Sequence, residues 1–276
     1  MKKHVLTPLA IASLVSLSSF GSFALKNAAA DNDELRYHYP DFEVCEVTSE
    51  QIACTNMIET ETVTQYRMPL YYATDELTNC CGPVAGSIIV GFYDRYYPDL
   101  IPNWTPYSTV TGSYKRADST YVPAVMEELY VTMRTNVDDV GVSQADCRSG
   151  LQQYFTDRDM SLSYSSIESN SAFDFNLYKQ AIAANKPVIM FCLDVTVSML
   201  AFSPTNQVVA FSHHSISGGH IVVGYGYSTV NYYDGDDIIR TDNFLLVSTG
   251  RSTISDMYIN LNSTSWLVDG YAVTVS

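Results

Sequence analysis

Two adjacent cysteines, Cys80 and Cys81, stand directly before Gly82-Pro83 and a run of small and apolar residues from Val84 to Phe92. The run predicts a buried helix. Pro83 fits its first turn, where a missing N–H loses no partner, and Pro98 stops it. A thiol at such a start faces free N–H groups and the positive end of the helix dipole. That setting can lower a thiol pKa to about 3.5–7.5 and favour the thiolate, the reactive form. The stretch therefore predicts a catalytic nucleophile.

A cysteine nucleophile needs a base. The candidates are His38, His213, His214 and His220. His38 sits in an irregular N-terminal stretch. His213 and His214 form a pair without a clear third metal ligand. His220 follows Ser217-Gly218-Gly219 and opens the strand Ile221 to Tyr227. The glycines let backbone or substrate come close to its ring. A lone histidine there would ordinarily be a hydrogen-bonded core residue. An upstream cysteine at a helix start favours the general-base reading instead. No zinc site is expected, because adjacent cysteines lack the two-ligand spacing and no second ligand pair follows.

These residues carry a resemblance. Asn79-Cys-Cys-Gly-Pro with its small-residue helix, and Gly218-Gly-His-Ile-Val-Val-Gly-Tyr-Gly-Tyr downstream, resemble the papain-like cysteine peptidases. The bacterial branch similar to double-glycine leader peptidases is the best likeness. Lys186-Pro187-Val188-Ile189 is similar to the strand that family places before its histidine. The 139 residues from Cys81 to His220 fall within the range of about 130–150 for papain-type enzymes. The likeness covers residues 67–276. It implies Cys81 as nucleophile, with Cys80 a neighbour, and His220 as general base. It also implies an oxyanion held by the Cys81 N–H and one side-chain amide.

Two positions depart from the family pattern. A glutamine is usual six residues before the cysteine, where this chain has Asp75, which when ionised accepts but cannot donate. Asn79 can supply an amide instead; its other role is a helix cap. The residue orienting the histidine follows the next strand, which places Ser248 or Thr249 there, with Asp242 and Asn243 at the strand's other end. The implied function is a secreted peptidase working through a Cys-His thioester. The alternatives are a catalytically inactive papain-fold binding or adhesion protein, and a Cys-His acyltransferase or amidase. No cofactor is implied, and the expected partner is a peptide or protein substrate.

The surrounding elements must position the pair. Helices are expected at about Val122 to Met133, at Gln144 to Phe155 behind a Ser143 cap, and at Phe173 to Ala184. Strands are expected at Ser161 to Ile167, Pro187 to Leu193, Ile221 to Tyr227, Asn243 to Val247, Met257 to Leu261 and Trp266 to Val275. Asp234-Gly235 marks a turn. Asp99 to Asp118 and Val195 to Ser215 read as the regions whose loops build a substrate pocket. The pattern predicts an α+β, papain-like domain, with a helical part carrying the nucleophile helix packed on a C-terminal antiparallel sheet.

Composition sets the context. The 276 residues hold 46% apolar and only 16% charged residues, with a formal charge of −15. An acidic chain of this kind argues against nucleic-acid binding, which needs a basic face. Residues 1–24 resemble a secretory signal, with Lys2-Lys3, an apolar stretch and Ser22-Phe23-Ala24. No later run of about 20 apolar residues suggests a membrane span. The expected location is secreted or extracytoplasmic. Residues 25–66 read as a propeptide or as the first strands of the domain at 67–276. In an exported chain Cys45 and Cys54 can pair, or remain free.

Overall fold

The computed structural model describes residues 36–37, 46–64, 68–73, 77–108, 110–111, 113–114, 120–137, 140–252, 254, 256–262 and 266–276. The segment 1–24, read as a secretory signal, lies outside the described residues. Three strands come first: β1 (Arg36–Tyr37), β2 (Glu46–Ala53) and β3 (Asn56–Thr64). A helical half follows, with α1 (Cys81–Asp94), β4 (Tyr107–Ser108), β5 (Ser113–Tyr114), α2 (Tyr121–Thr132), β6 (Val142–Ser143) and α3 (Gln144–Thr156). Then come β7 (Leu162–Ser166), β8 (Glu168–Ser169), β9 (Ala172–Phe173) and α4 (Phe175–Ala183). Four long strands and one short one close the chain: β10 (Val188–Ser203), β11 (Val208–Asp234), β12 (Asp237–Ser248), β13 (Asp256–Asn260) and β14 (Leu267–Val275).

Helix α1 is buried along its whole length. Its run of Val, Ala, Gly, Ile and Phe offers no polar face, which is what a helix enclosed on all sides requires. It packs against α2 and α3 on one side and against β11 on the other. Helix α3 starts where a cap was expected. The Ser143 hydroxyl accepts the Asp146 N–H at 3.0 Å and donates to the Asp146 carboxylate at 2.7 Å. Helix α4 begins two residues later than expected, because the Asp174 carboxylate caps the N–H groups of Asn176 and Leu177.

The main sheet is antiparallel and runs β2-β11-β12-β13-β10-β14-β7, with β3 also on β11 and β10 also paired with β11. Strand β10 enters it through Val188 to Cys192, buried without interruption. Both faces there are covered, so apolar residues run on rather than alternate. The architecture is thus mixed helix and antiparallel sheet, with helices mainly before strands. Residues 46–64 belong to the same sheet as the rest: β2 pairs with β11 from Val208 to Ser215 and β3 from Gly226 to Tyr233.

One expectation is corrected here. Residues 195–215 do not form a pocket loop. They lie in the antiparallel arm of β10 and β11, in register from Val195↔Ile216 to Ser203↔Val208. A bulge at Leu193/Val195 bends the ribbon and interrupts the alternation that would have marked the strand.

Asp94, at the end of α1, yields a stability prediction. Its carboxylate accepts the Ile101 N–H at 2.9 Å, yet burial pushes its pKa up to about 6. The folded state holds this proton more tightly than the unfolded chain. The stability so contributed is complete below about pH 4 and is lost as pH rises through 6. Asp94→Asn keeps an acceptor for Ile101 and removes the charge. The variant should melt a few degrees higher at pH 8, with the gain vanishing towards pH 4; an equal gain at both pH values would contradict the assignment.

Candidate active site

Cys81 is the first residue of α1, and Cys80 precedes it as the cap residue without a side-chain cap bond. Asn79 takes a positive φ of 52° and turns the chain into the helix. Its amide donates to the Asn136 side chain at 2.6 Å. The Asn136 amide donates in turn to the Thr78 hydroxyl at 3.2 Å. Asn79 is not the cap residue, which is Cys80; its amide ties the helix approach to the α2–α3 connection. Asp75 lies outside the described residues.

The Cys80 thiol donates to the Leu77 carbonyl at 3.3 Å, and burial pushes its pKa up to about 12. Cys81 is buried too. Burial drives its pKa well above the ordinary thiol value, and the neighbouring Cys80 adds to this. The backbone N–H groups of Ile221 and Gly82 act in the opposite sense. The lowered pKa expected of a helix-end thiol is thus overturned. Free N–H groups are present, but desolvation outweighs them because the helix start is covered.

The Ile221 contact brings Cys81 against the β11 backbone, one residue from His220. His220 is fully buried and stands opposite Cys192 in the β10–β11 register. Its Nε2 donates to the main-chain oxygen of Thr249 at 2.8 Å. A carbonyl oxygen can only accept, so Nε2 carries the proton, and Nδ1 is the accepting nitrogen of the neutral ring.

The orienting group is therefore Thr249, through its backbone and not its hydroxyl. The hydroxyl donates to the Ile254 carbonyl at 2.6 Å, which folds the turn after β12 back on itself. Ser248 ends β12 opposite Val223. Asp242 and Asn243 are held elsewhere: Asp242 pairs with Arg240 at 2.9 Å, and the Asn243 side chain accepts from Thr229 at 2.7 Å. Next to Thr249, Gly250 has a φ of +72°, and a Cβ there would lie 2.7 Å from Val84 Cγ1 of α1. The turn that orients His220 is thereby seated on the nucleophile helix. A main-chain acceptor leaves no side-chain signal in the sequence; the Thr-Gly turn after a strand is the only sign.

The other described cysteines are thiols. Cys54, Cys147 and Cys192 are buried and free, while Cys45 and His38 lie outside the described residues. His213 joins a separate polar chain: its Nδ1 is 2.8 Å from the Ser198 hydroxyl and its Nε2 3.3 Å from Glu50. His214 bonds Ser212 at 3.2 Å. A polar cavity of about 390 Å³ lies beside His213, lined also by Glu50, Ser198 and Arg240, and does not include Cys81 or His220. Among the described residues no group of three or more His, Cys, Asp or Glu could hold a metal ion. No described helix is long and apolar enough to cross a membrane.

No family model matches the chain, and no curated protein or solved structure does so either.

Proposed function

We propose that the chain is a secreted cysteine peptidase of the papain-like type, with Cys81 as nucleophile and His220 as base. One observation carries the reading. The Ile221 N–H meets a thiol at the start of α1, while the preceding His220 is held through Nε2 by the Thr249 carbonyl. The ring's basic nitrogen is thus Nδ1, the form needed to take the thiol proton. The helical half, with its nucleophile helix laid on an antiparallel sheet that presents the histidine, supports the papain-like fold.

In the proposed reaction the Cys81 proton passes to His220 Nδ1 and the sulfur attacks the scissile carbonyl carbon. The carbonyl oxygen gains the electron pair and is stabilised by the Cys81 N–H at the helix start. The C–N bond then breaks as His220 returns the proton to the leaving amine, leaving a thioester on Cys81. Water, deprotonated by His220, hydrolyses the thioester and restores the thiol. The orienting group is a neutral carbonyl, which stabilises the imidazolium less than a carboxylate would.

The test is to incubate the purified chain with a mixture of peptides and map the new termini by mass spectrometry. New termini should appear with the wild type and vanish with Cys81→Ala. Cys80→Ala should keep much of the turnover, since its thiol is bound to Leu77; loss with Cys80→Ala and retention with Cys81→Ala would reverse the assignment. A chain that binds peptides without producing termini in any form would be the inactive binding protein that the buried, protonated Cys81 also accommodates.

A further inference from the structure

Strand β1 lies between the two halves of the molecule. On one edge it pairs antiparallel with β6, Arg36↔Ser143 and Tyr37↔Val142. On the other it lies against Gly219, where a Cβ would stand 2.5 Å from the Arg36 carbonyl oxygen and 3.1 Å from Tyr37 Cδ1. Both walls adjoin the reactive pair. Gly219 directly precedes His220, and Val142 Cγ1 would lie 2.8 Å from a Cβ on Gly82, the residue after Cys81. An extended dipeptide thus occupies the gap between the helix that carries the thiol and the strand that carries the base.

Tyr37 is fully buried. Its ring meets Phe191 edge-on at a centroid distance of 5.1 Å. Burial raises the phenol's pKa far above its ordinary value, and the neighbouring Cys192, Asp269, Cys81 and Cys147 each add to this. The seat suits the ring but not the hydroxyl, which has no hydrogen-bond partner among the described residues. A buried, unsatisfied hydroxyl carries the full cost of its lost hydration. The Arg36 side chain adds little, since its 3.4 Å pair with Asp146 is partly exposed on both sides. This occupant is held by its ring and its backbone and opposed by its own hydroxyl.

We propose that Arg36–Tyr37 fills the substrate groove of Cys81 and His220 as a self-ligand, and that the seat of Tyr37 takes an aromatic side chain of an extended substrate peptide, Phe in preference to Tyr. The inference rests on the cysteine-peptidase reading. Arg36–Tyr37 and a substrate exclude each other, so wild-type turnover is slowed, and is carried by the fraction of chains whose dipeptide has left the groove. Backbone pairing to β6 supplies the sequence-independent part of recognition, and the ring pocket supplies the selective part.

Iodoacetamide alkylation of the native full chain, followed cysteine by cysteine by peptide mass spectrometry, tests this. Cys81 should react at least 10-fold faster in Tyr37→Gly than in wild type, and no faster, or more slowly, in Tyr37→Phe. Gly219→Ala should open the groove by a second route, since its Cβ meets the Arg36 carbonyl. Cys54 lies in a separate apolar cluster and serves as the control for general loosening. An N-acetylated Arg-Phe amide should protect Cys81 in Tyr37→Gly. An unchanged Cys81 rate in both opening variants, or an acceleration shared by Cys54, overturns the proposal. Adding His220→Ala separates the two readings. If opening still speeds alkylation but His220 makes no difference, the groove stands and the peptidase reading falls. If His220 matters but opening does not, the reverse holds.

Discussion

Cys81→Ala and His220→Ala should each lower kcat/KM for a Phe-containing peptide by at least about 10³-fold, measured in a Tyr37→Gly background. The two groups act as a unit, so removing either should cost about as much as removing both. Cys81→Ala removes the atom that forms the covalent bond. His220→Ala leaves a buried thiol whose pKa stands well above the ordinary value, with no group to take its proton. At neutral pH the thiolate fraction is then very small. The loss in His220→Ala should shrink as pH rises, because hydroxide begins to deprotonate Cys81 directly; Cys81→Ala should show no such recovery. Retention of most activity in His220→Ala at pH 7 would remove His220 from the mechanism.

Gly250→Ala should lower kcat/KM by about 10–100-fold, although residue 250 touches neither sulfur nor imidazole in the proposed reaction. The left-handed φ of +72° is unfavourable for alanine, and the new Cβ would lie 2.7 Å from Val84 Cγ1. The turn must shift, and the Thr249 carbonyl shifts with it. A displacement of about 1 Å in a positioning group can cost about 10²-fold. Because the acceptor is main-chain, this is the most direct way to disturb it. Adding Val84→Ala removes the steric part and should recover a portion of the rate. The loss should appear mainly in kcat, with a shifted basic limb of the pH profile. A Gly250→Ala enzyme with normal kcat and an unchanged pH profile would mean that the Thr249 carbonyl does not orient His220.

The parts legible in the sequence are those with local signals. Pro83 after two cysteines and a small-residue run marked the start of α1. Ser143 with Asp146 marked α3, and the apolar run Val188 to Cys192 marked a strand enclosed on both faces. Gly219 before His220 marked a close approach. What approaches it, however, is Arg36–Tyr37, some 180 residues away in sequence and only two residues long. No periodicity can be read from a dipeptide.

The Thr249 carbonyl is not legible for another reason: Ser248, Thr249, Asp242 and Asn243 offer side-chain chemistry in the sequence, whereas the acceptor of the His220 ring is main-chain. The expected thiolate failed because a helix terminus reports only the favourable half of the electrostatics. Desolvation depends on what surrounds the end, and Cys81 lies in one buried apolar cluster with Tyr37, Val84 and Ile221. Residues 195–215 hide their strands in the sequence because the bulge at Leu193/Val195 and the polar cross-strand pairs Ser198↔His213 and Thr196↔Ser215 break the alternation of an otherwise regular ribbon.

The central claim is covalent acyl transfer through Cys81, and the acyl-enzyme itself tests it. The open Tyr37→Gly chain, mixed rapidly with a 4-nitrophenyl ester of an N-acylated phenylalanine, should transfer the acyl group to the Cys81 sulfur and release 4-nitrophenolate. The account predicts a burst of one nitrophenolate per chain and an acyl mass on the peptide carrying Cys81, with the burst lost in Cys81→Ala and slowed in His220→Ala. A burst that survives Cys81→Ala, or an acyl group found on Cys80, would contradict it.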